Sequence, residues 1–369
     1  MEIKRDMYSI SKEESRAINA LRVIFTIMVV YIHSHVGAEK IINPTHWINT
    51  VEYLISEVVC RCAVPGFFLI SAIMLYKKDF TWKDNVKKKT RGLLIPYVLM
   101  NSLWIVFFLI TKKIPVLSGF FNTQASDIYN WSIRGWINAY LGIDSLPVLG
   151  QTWFLRDLFV INLLSVLLKK IIDRLPIIWI SLLSIIWIIN FEIPVFCISI
   201  RSIYFFSLGY YIVKYNVSMN SIRKISTQMI AIAFSVLAVV DTVFHLYVEK
   251  QGITLFVGNL AHQMMILVGI IWLIKIAFNL QKLEGNAIYD KLMRYNFSIY
   301  LFHEFALTIS RKTVIKIFGA KPVVQLLGYF VLPLVVICAS VLLAIALEKK
   351  LPAVYDLLTG KRSALNKGK

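Results

Sequence analysis

Long apolar runs, separated by short polar stretches, dominate this chain. Ten are long enough to be read as spans, at approximately residues 20–37, 54–76, 93–111, 152–168, 175–191, 195–213, 228–247, 259–278, 295–310 and 323–347. A helix crossing ~30 Å of hydrocarbon needs about 20 largely apolar residues. The runs exceed what a tilted barrel strand requires and do not alternate, so they predict helices. The expected fold is all-α, a polytopic membrane protein with about ten transmembrane helices and both termini cytoplasmic. Its parts are a cytoplasmic segment over 1–17, a membrane domain over 18–347 and a basic cytoplasmic tail over 348–369.

Composition agrees with that class. Of 369 residues 58% are hydrophobic and only 17% charged, and mean hydropathy is +0.68, too little polar surface for a soluble protein of this length. The net charge of +19 would suit a nucleic-acid partner if it were clustered on a surface. With the N-terminus inside, however, 26 Lys and Arg fall in cytoplasmic segments and nine in outward loops. That bias is the positive-inside pattern, and it argues against nucleic acid. It places the chain in a membrane, most simply a bacterial cytoplasmic one.

Other features point to little beyond the membrane domain. Cys60, Cys62, Cys197 and Cys338 lie in or beside spans and read as packing residues, since Cys60-x-Cys62 is too close for the usual metal pair. The first span is read as retained, because no small-x-small cleavage site follows "YIHSH". No internal repeat is evident. The segment "WSIRGWINAYLGI" is too short to span and rich in Trp and Tyr, so it is expected at the interface or re-entrant.

Polar groups inside the spans carry the chemistry. In "RVIFTIMVVYIHSH", Arg22 and His33 are eleven residues apart. At 100° per residue they fall about 20° from three full turns, so they share a face with Thr26 and stand ~16 Å apart along the axis. A polar stripe on one wall of a span faces a cavity rather than lipid. The fourth span opens "TWFLRDLF", with Arg156 beside Asp157. The ninth reads "NFSIYLFHEF", with Asn296, Tyr300, His303 and Glu304 along one stripe. Glu57 and Arg61, at i and i+4, read as an internal ion pair. Counted within spans, the cations Arg22, Arg61, Arg156, Arg201 and Lys275 outnumber Glu57, Asp157 and Glu304, which suits an anionic ligand. Lys88 and Arg91, three apart before the third span, could hold phosphate oxygens. On residues alone, an enzyme using an anionic donor and a transporter or flippase for a lipid-linked glycan or anionic solute both remain open.

These residues resemble the acyltransferase-3 family of integral membrane acyltransferases. The resemblance runs from about residue 16 to 347 and rests on Arg22 and His33 in the first span, "FFLISAIML" in the second and "KKTRGLLIPY" before and into the third. "WFLRDL" in the fourth and "YLFH" in the ninth complete it. It departs from the family at Ala72 after Ser71, where glycine is usual, at Lys88, often arginine, and at Glu304, where proline commonly follows the histidine. Many relatives carry a hydrolase-like domain after the last span, and the expectation here is transfer within the membrane domain or by a separate partner.

The resemblance implies an O-acyltransferase moving an acyl group, by family frequency acetyl, from cytoplasmic acyl-CoA to a hydroxyl of a cell-surface or lipid-linked glycan. His33 would be the catalytic histidine, while Arg22, Lys88 and Arg91 would contact the acetyl-CoA donor. A sugar hydroxyl needs a base as it attacks a thioester, and histidine suits that near neutral pH. The expected role for His33 is general base, with Glu304 or Asp157 orienting it and a covalent acyl-histidine relay left open. Trp153, Arg156, Arg201, Tyr300 and His303 are the expected substrate contacts, and Trp131, Trp136, Tyr140 and Trp153 either stack on a sugar or form an interfacial belt. His35, His46, His245 and His262 read as loop or packing residues, and no metal is expected.

Overall fold

The computed structural model describes residues 8–34, 47–114, 128–191, 198–249 and 251–360; His35, His46, Cys197 and the chain after Gly360 lie outside them. In chain order the helices are α1 (Lys12–Ile32), α2 (Trp47–Tyr76), α3 (Trp82–Lys113), α4 (Ile133–Leu141), α5 (Trp153–Leu163), α6 (Ser165–Arg174) and α7 (Pro176–Ile188). There follow α8 (Ile200–Lys214), α9 (Thr227–Leu246), α10 (Gly252–Leu280), α11 (Ala287–Arg294), α12 (Asn296–Phe318), α13 (Pro322–Lys350) and α14 (Pro352–Thr359). The all-helical expectation holds.

The number of spans does not follow the ten apolar runs. Among the described residues six helices (α1, α2, α3, α9, α10 and α13) are long and apolar enough to cross a membrane, or seven if α6 and α7, bent by 114° at their junction, form one span. The run at 152–168 breaks at Leu164 into helices of 11 and 10 residues, and the run at 195–213 yields a 15-residue helix. α12 is 23 residues long, but Glu304, Arg311, Lys312 and Lys316 make it more polar than an ordinary span. Hydropathy finds helices that face lipid; it undercounts those whose charges line a protein interior.

The chain divides into two compact units. The first comprises Met1–Phe80, Leu168–Glu192 and Ile203–Leu343, and the second Thr81–Leu167, Ile193–Ser202 and Ala344–Lys369.

In the first unit α1 begins eight residues before its apolar run, because a capping box stops it from fraying. The Glu14 N–H donates to Ser11 Oγ at 3.1 Å and the Ser11 N–H to Glu14 Oε2 at 2.9 Å. Glu14 is itself buried, and its other oxygen accepts from Ser218 Oγ at 2.7 Å, which ties the start of α1 to the turn before α9. α2 is not a regular α-helix throughout. A π-turn at Leu54–Val58 runs into a 3-10 turn at Val59–Cys62, an irregularity frequent at functional sites. Ala72, where the family resemblance expects glycine, is accommodated from the other side. A Cβ on Gly209 of α8 would lie 2.7 Å from Ala72 Cβ and 2.5 Å from the Leu69 carbonyl oxygen. The missing methyl has moved from one helix to its neighbour.

In the second unit Thr81 caps α3, accepting from the Asp84 N–H at 3.2 Å, so the helix reaches back through the basic stretch before the third run. It passes through a π-turn at Thr90–Leu94. Within the stretch expected as a basic tail, α14 forms and buries Tyr355, Leu358 and Thr359. It ends at Gly360, whose φ of +67° is left-handed and whose Cβ, if present, would lie 2.6 Å from the Arg91 carbonyl oxygen. Only glycine meets both conditions.

Candidate active site

The last turn of α1 meets the middle of α12 in the first unit. His33 caps α1, its N–H bonded to the Val29 carbonyl at 3.3 Å. His33 Nδ1 stands 3.4 Å from Glu304 Oε2, and its ring centroid is 5.4 Å from that of His303. His303 is fully buried, and its Nδ1 lies 2.7 Å from the Tyr300 carbonyl oxygen. That contact requires Nδ1–H, so Nε2 keeps its lone pair, and this atom has no hydrogen-bond partner among the described residues.

Arg311, two turns beyond Glu304 on α12, closes the group. It donates to the His33 carbonyl at 2.7 Å, to Glu304 Oε1 at 3.3 Å and to Thr308 Oγ1 at 3.4 Å. Thr308 in turn donates to Glu304 Oε1 at 3.3 Å. Arg311 lies just past the ninth apolar run, yet the stripe of Asn296, Tyr300 and Glu304 simply continues at 308 and 311, and that periodicity is the signal in the sequence that marks it. Glu57 and Arg61 of α2 also bear electrostatically on His33, with Arg61 Nε donating to Glu57 at 2.9 Å.

Arg22 lies on the same helix as His33, at the other end of the shared face. Its Nη1 donates to Asn19 at 3.3 Å, and its carbonyl accepts from Asn296 at 3.2 Å. Arg22 and Lys78 both act on Lys77, just past α2, whose ammonium is held below the usual lysine value by burial first and by those two charges next. Arg22, midway along α1, and Lys77 and Lys78, just past α2, thus bring three cations into one neighbourhood. Lys275, by contrast, caps a turn, donating to the Ile225 carbonyl at 2.5 Å and the Arg223 carbonyl at 3.1 Å.

The remaining expected site residues belong to the second unit. Lys88 and Arg91 are exposed on α3, and Trp153 and Arg201 begin α5 and α8 or their first turns. Arg156 acts as a brace. Its Nη1 donates to the Leu141 and Gly142 carbonyls at 2.7 and 3.0 Å, capping α4, and its Nη2 to Asp157 at 2.9 Å. The other Asp157 oxygen accepts from Ser202 Oγ at 3.0 Å and the Ser199 N–H at 3.3 Å. Of the two acids expected beside His33, Glu304 is the one found there. The interfacial aromatics pair with each other, Trp131 to Trp136 at 5.2 Å, and Tyr140 with Ser102 at 2.9 Å.

His33, His303 and Glu304 present ligand atoms within 4.8 Å of one another, a set that could hold a divalent cation; Arg311 places an opposing charge against the same carboxylate. An apolar cleft of about 50 Å³ under Leu21 and Phe25 contains no titratable group. A second cluster joins α9 to α10, where buried Asp241 meets His245 Nδ1 at 2.6 Å and His262 Nδ1 at 2.8 Å. Asp241, not among the in-span acids counted from sequence, stands at i, i+4 from His245, a spacing legible in the chain.

Comparison with known proteins decides the family. Residues 15–349 match the acyltransferase-3 family, described as an acyltransferase domain. The chain belongs to that family. It is also 25% identical over 236 residues to the succinoglycan biosynthesis protein ExoH of Rhizobium meliloti (strain 1021), covering 62% of this chain and 62% of that relative. No solved structure matches it. This acyltransferase-3 member is therefore a membrane protein of an acyltransferase family, related to a protein of polysaccharide biosynthesis.

Proposed function

We propose that the chain transfers an acyl group from acyl-CoA to a hydroxyl of a cell-surface or lipid-linked glycan at the bacterial cytoplasmic membrane, with His33 as general base. The observation that carries this reading is the Glu304 carboxylate 3.4 Å from His33 Nδ1, at the far end of α1 from Arg22. A carboxylate at Nδ1 favours the tautomer with a lone pair on Nε2, and that lone pair is the base. The acceptor hydroxyl attacks the thioester carbonyl as Nε2 takes its proton. Collapse of the tetrahedral intermediate breaks the carbon–sulfur bond, and the imidazolium returns the proton to the departing thiolate, giving ester and free CoA thiol. His303 Nε2, whose lone pair is also free, accepts a hydrogen bond from a second hydroxyl of the acceptor and orients it.

At the opposite end, Arg22, Lys77 and Lys78 hold phosphate oxygens of the donor through charge-assisted hydrogen bonds. The family resemblance alone gives Lys88 and Arg91 a part in donor binding. Arg156 and Asp157 brace the second unit. Acetyl is the acyl group favoured by family frequency, and the link of the relative to succinoglycan makes succinyl-CoA the second donor to test.

The experiment uses purified protein in nanodiscs with acetyl-CoA or succinyl-CoA and extracted membrane glycolipid, following CoA binding and thiol release. Wild type cleaves; His33→Ala binds CoA but loses cleavage by about 100- to 10,000-fold; Arg22→Ala binds CoA poorly. Absence of both binding and cleavage in wild type favours transport of a lipid-linked glycan instead.

A further inference from the structure

The cation at position 311 sits where one side chain touches both halves of the proposed base. Its Nη1 holds the carbonyl of His33 at 2.7 Å, and its Nη2 holds Glu304 Oε1 at 3.3 Å, while Oε2 of the same carboxylate stands 3.4 Å from His33 Nδ1. The carbonyl at the end of a helix lacks an intrahelical donor, and it lies at the negative end of the helix dipole. A guanidinium there satisfies the acceptor and fixes where α1 stops.

We infer that Arg311 is the positioning residue of the acyl-transfer site, clamping the backbone of His33 and the carboxylate of Glu304 in one geometry. The inference rests on the reading of His33 as base. Arg311 reaches the reaction only through its two partners.

Three features of the geometry support this role over a plain surface ion pair. Glu304, Thr308 and Arg311 follow one another at spacings of four and three, so they form a single ridge on α12. The side chains of Arg311 and Glu304 are 20% and 18% exposed, which limits screening by water. The guanidinium is also bonded in two directions at once, to a carbonyl on α1 and a carboxylate on α12. An ammonium is a point charge on a flexible stem and cannot form that planar fork.

Arg311 is distinct from the donor-binding cations in what its loss would do. Arg22 lies eleven residues before His33, midway along α1, and Lys77 just past α2, so the donor phosphates would be held there whether or not Arg311 is present. Loss of the clamp leaves donor binding intact and slows the chemical step, because small displacements of a base relative to the reacting atoms are enough to lose about 100-fold in rate.

The test measures thiol release and CoA binding for wild type, Arg311→Lys, Arg311→Gln, Glu304→Gln and the double variant Arg311→Gln/Glu304→Gln, with acetyl-CoA, succinyl-CoA and membrane glycolipid extract. Arg311→Gln loses about 100-fold in kcat while its Kd for CoA stays within about twofold. Arg311→Lys falls between it and wild type, and the double variant is no slower than Glu304→Gln alone, because both act through one geometry. If Arg311→Gln keeps kcat within twofold of wild type, or its loss is confined to CoA affinity, the inference is overturned. Should Arg311→Gln fail to fold, Arg311→Lys decides: full activity in it overturns the fork, and a kcat loss at unchanged CoA affinity sustains it. Silence of wild type with every donor would instead overturn the acyl-transfer reading.

Discussion

Lys77 shows how a single group can report on the proposed donor site. Burial and the charges of Lys78 and Arg22 hold its ammonium below the ordinary lysine value, which is about 10.4. A bound phosphate favours the protonated form. CoA affinity is therefore full below the lowered value and weakens as pH rises through it, before a free lysine would begin to titrate. Measuring Kd for CoA as pH is raised from 7 checks this: wild type weakens at lower pH than an ordinary lysine would allow, and Lys77→Gln binds less tightly at pH 7 with a flatter profile. An unchanged profile in Lys77→Gln removes Lys77 from the site. Arg22 and His33 were legible because a helix repeats, and eleven residues return nearly to one face. Lys77 was not, because it owes its environment to a second helix, and local sequence does not report which helix packs where; Arg311 lay on the stripe of α12 but past the end of its apolar run.

Helices make the same point with backbone in place of charge. The start of α1 could have been read from Ser11 and Glu14, three apart ahead of an apolar run, but the apolar run itself placed it eight residues late. The bend between α6 and α7 has a local cause in Pro176, which favours a first helical turn and ends the preceding helix. The contact between Ala72 and Gly209 had no local cause at all. Gly209→Ala puts a methyl within 2.5 Å of the Leu69 carbonyl oxygen and 2.7 Å of Ala72 Cβ, a close overlap in a packed interior that costs about 1–3 kcal/mol. Thermal unfolding in detergent should show a lower midpoint for Gly209→Ala. Adding Ala72→Gly should recover part of it, since the carbonyl contact remains. A wild-type midpoint for Gly209→Ala would mean that α2 and α8 do not approach as described.

Across the whole chain, hydropathy separates the membrane class from every soluble one, while six helices among the described residues, or seven with the bent pair, are long and apolar enough to cross. The excess of Lys and Arg in alternate loops gives an orientation that can be tested directly. In a cysteine-free background, a membrane-impermeant maleimide should label Ser221→Cys and Asn286→Cys from one face of the membrane and Ser145→Cys from the other. Labelling of Ser221→Cys and Asn286→Cys from outside and of Ser145→Cys from inside would reverse the orientation on which the proposed cytoplasmic approach of the donor depends. The interval from Arg22 to His33 has a consequence of its own. A helix is a stiff rod graduated in turns, so the cation and the imidazole form a caliper with a jaw spacing of ~16 Å. A caliper gauges the arm that carries the acyl group, and it is indifferent to what the arm carries. On the proposed reading α1 selects the carrier, and the choice between one acyl group and another falls to whatever surrounds the thioester beyond the tip of that helix.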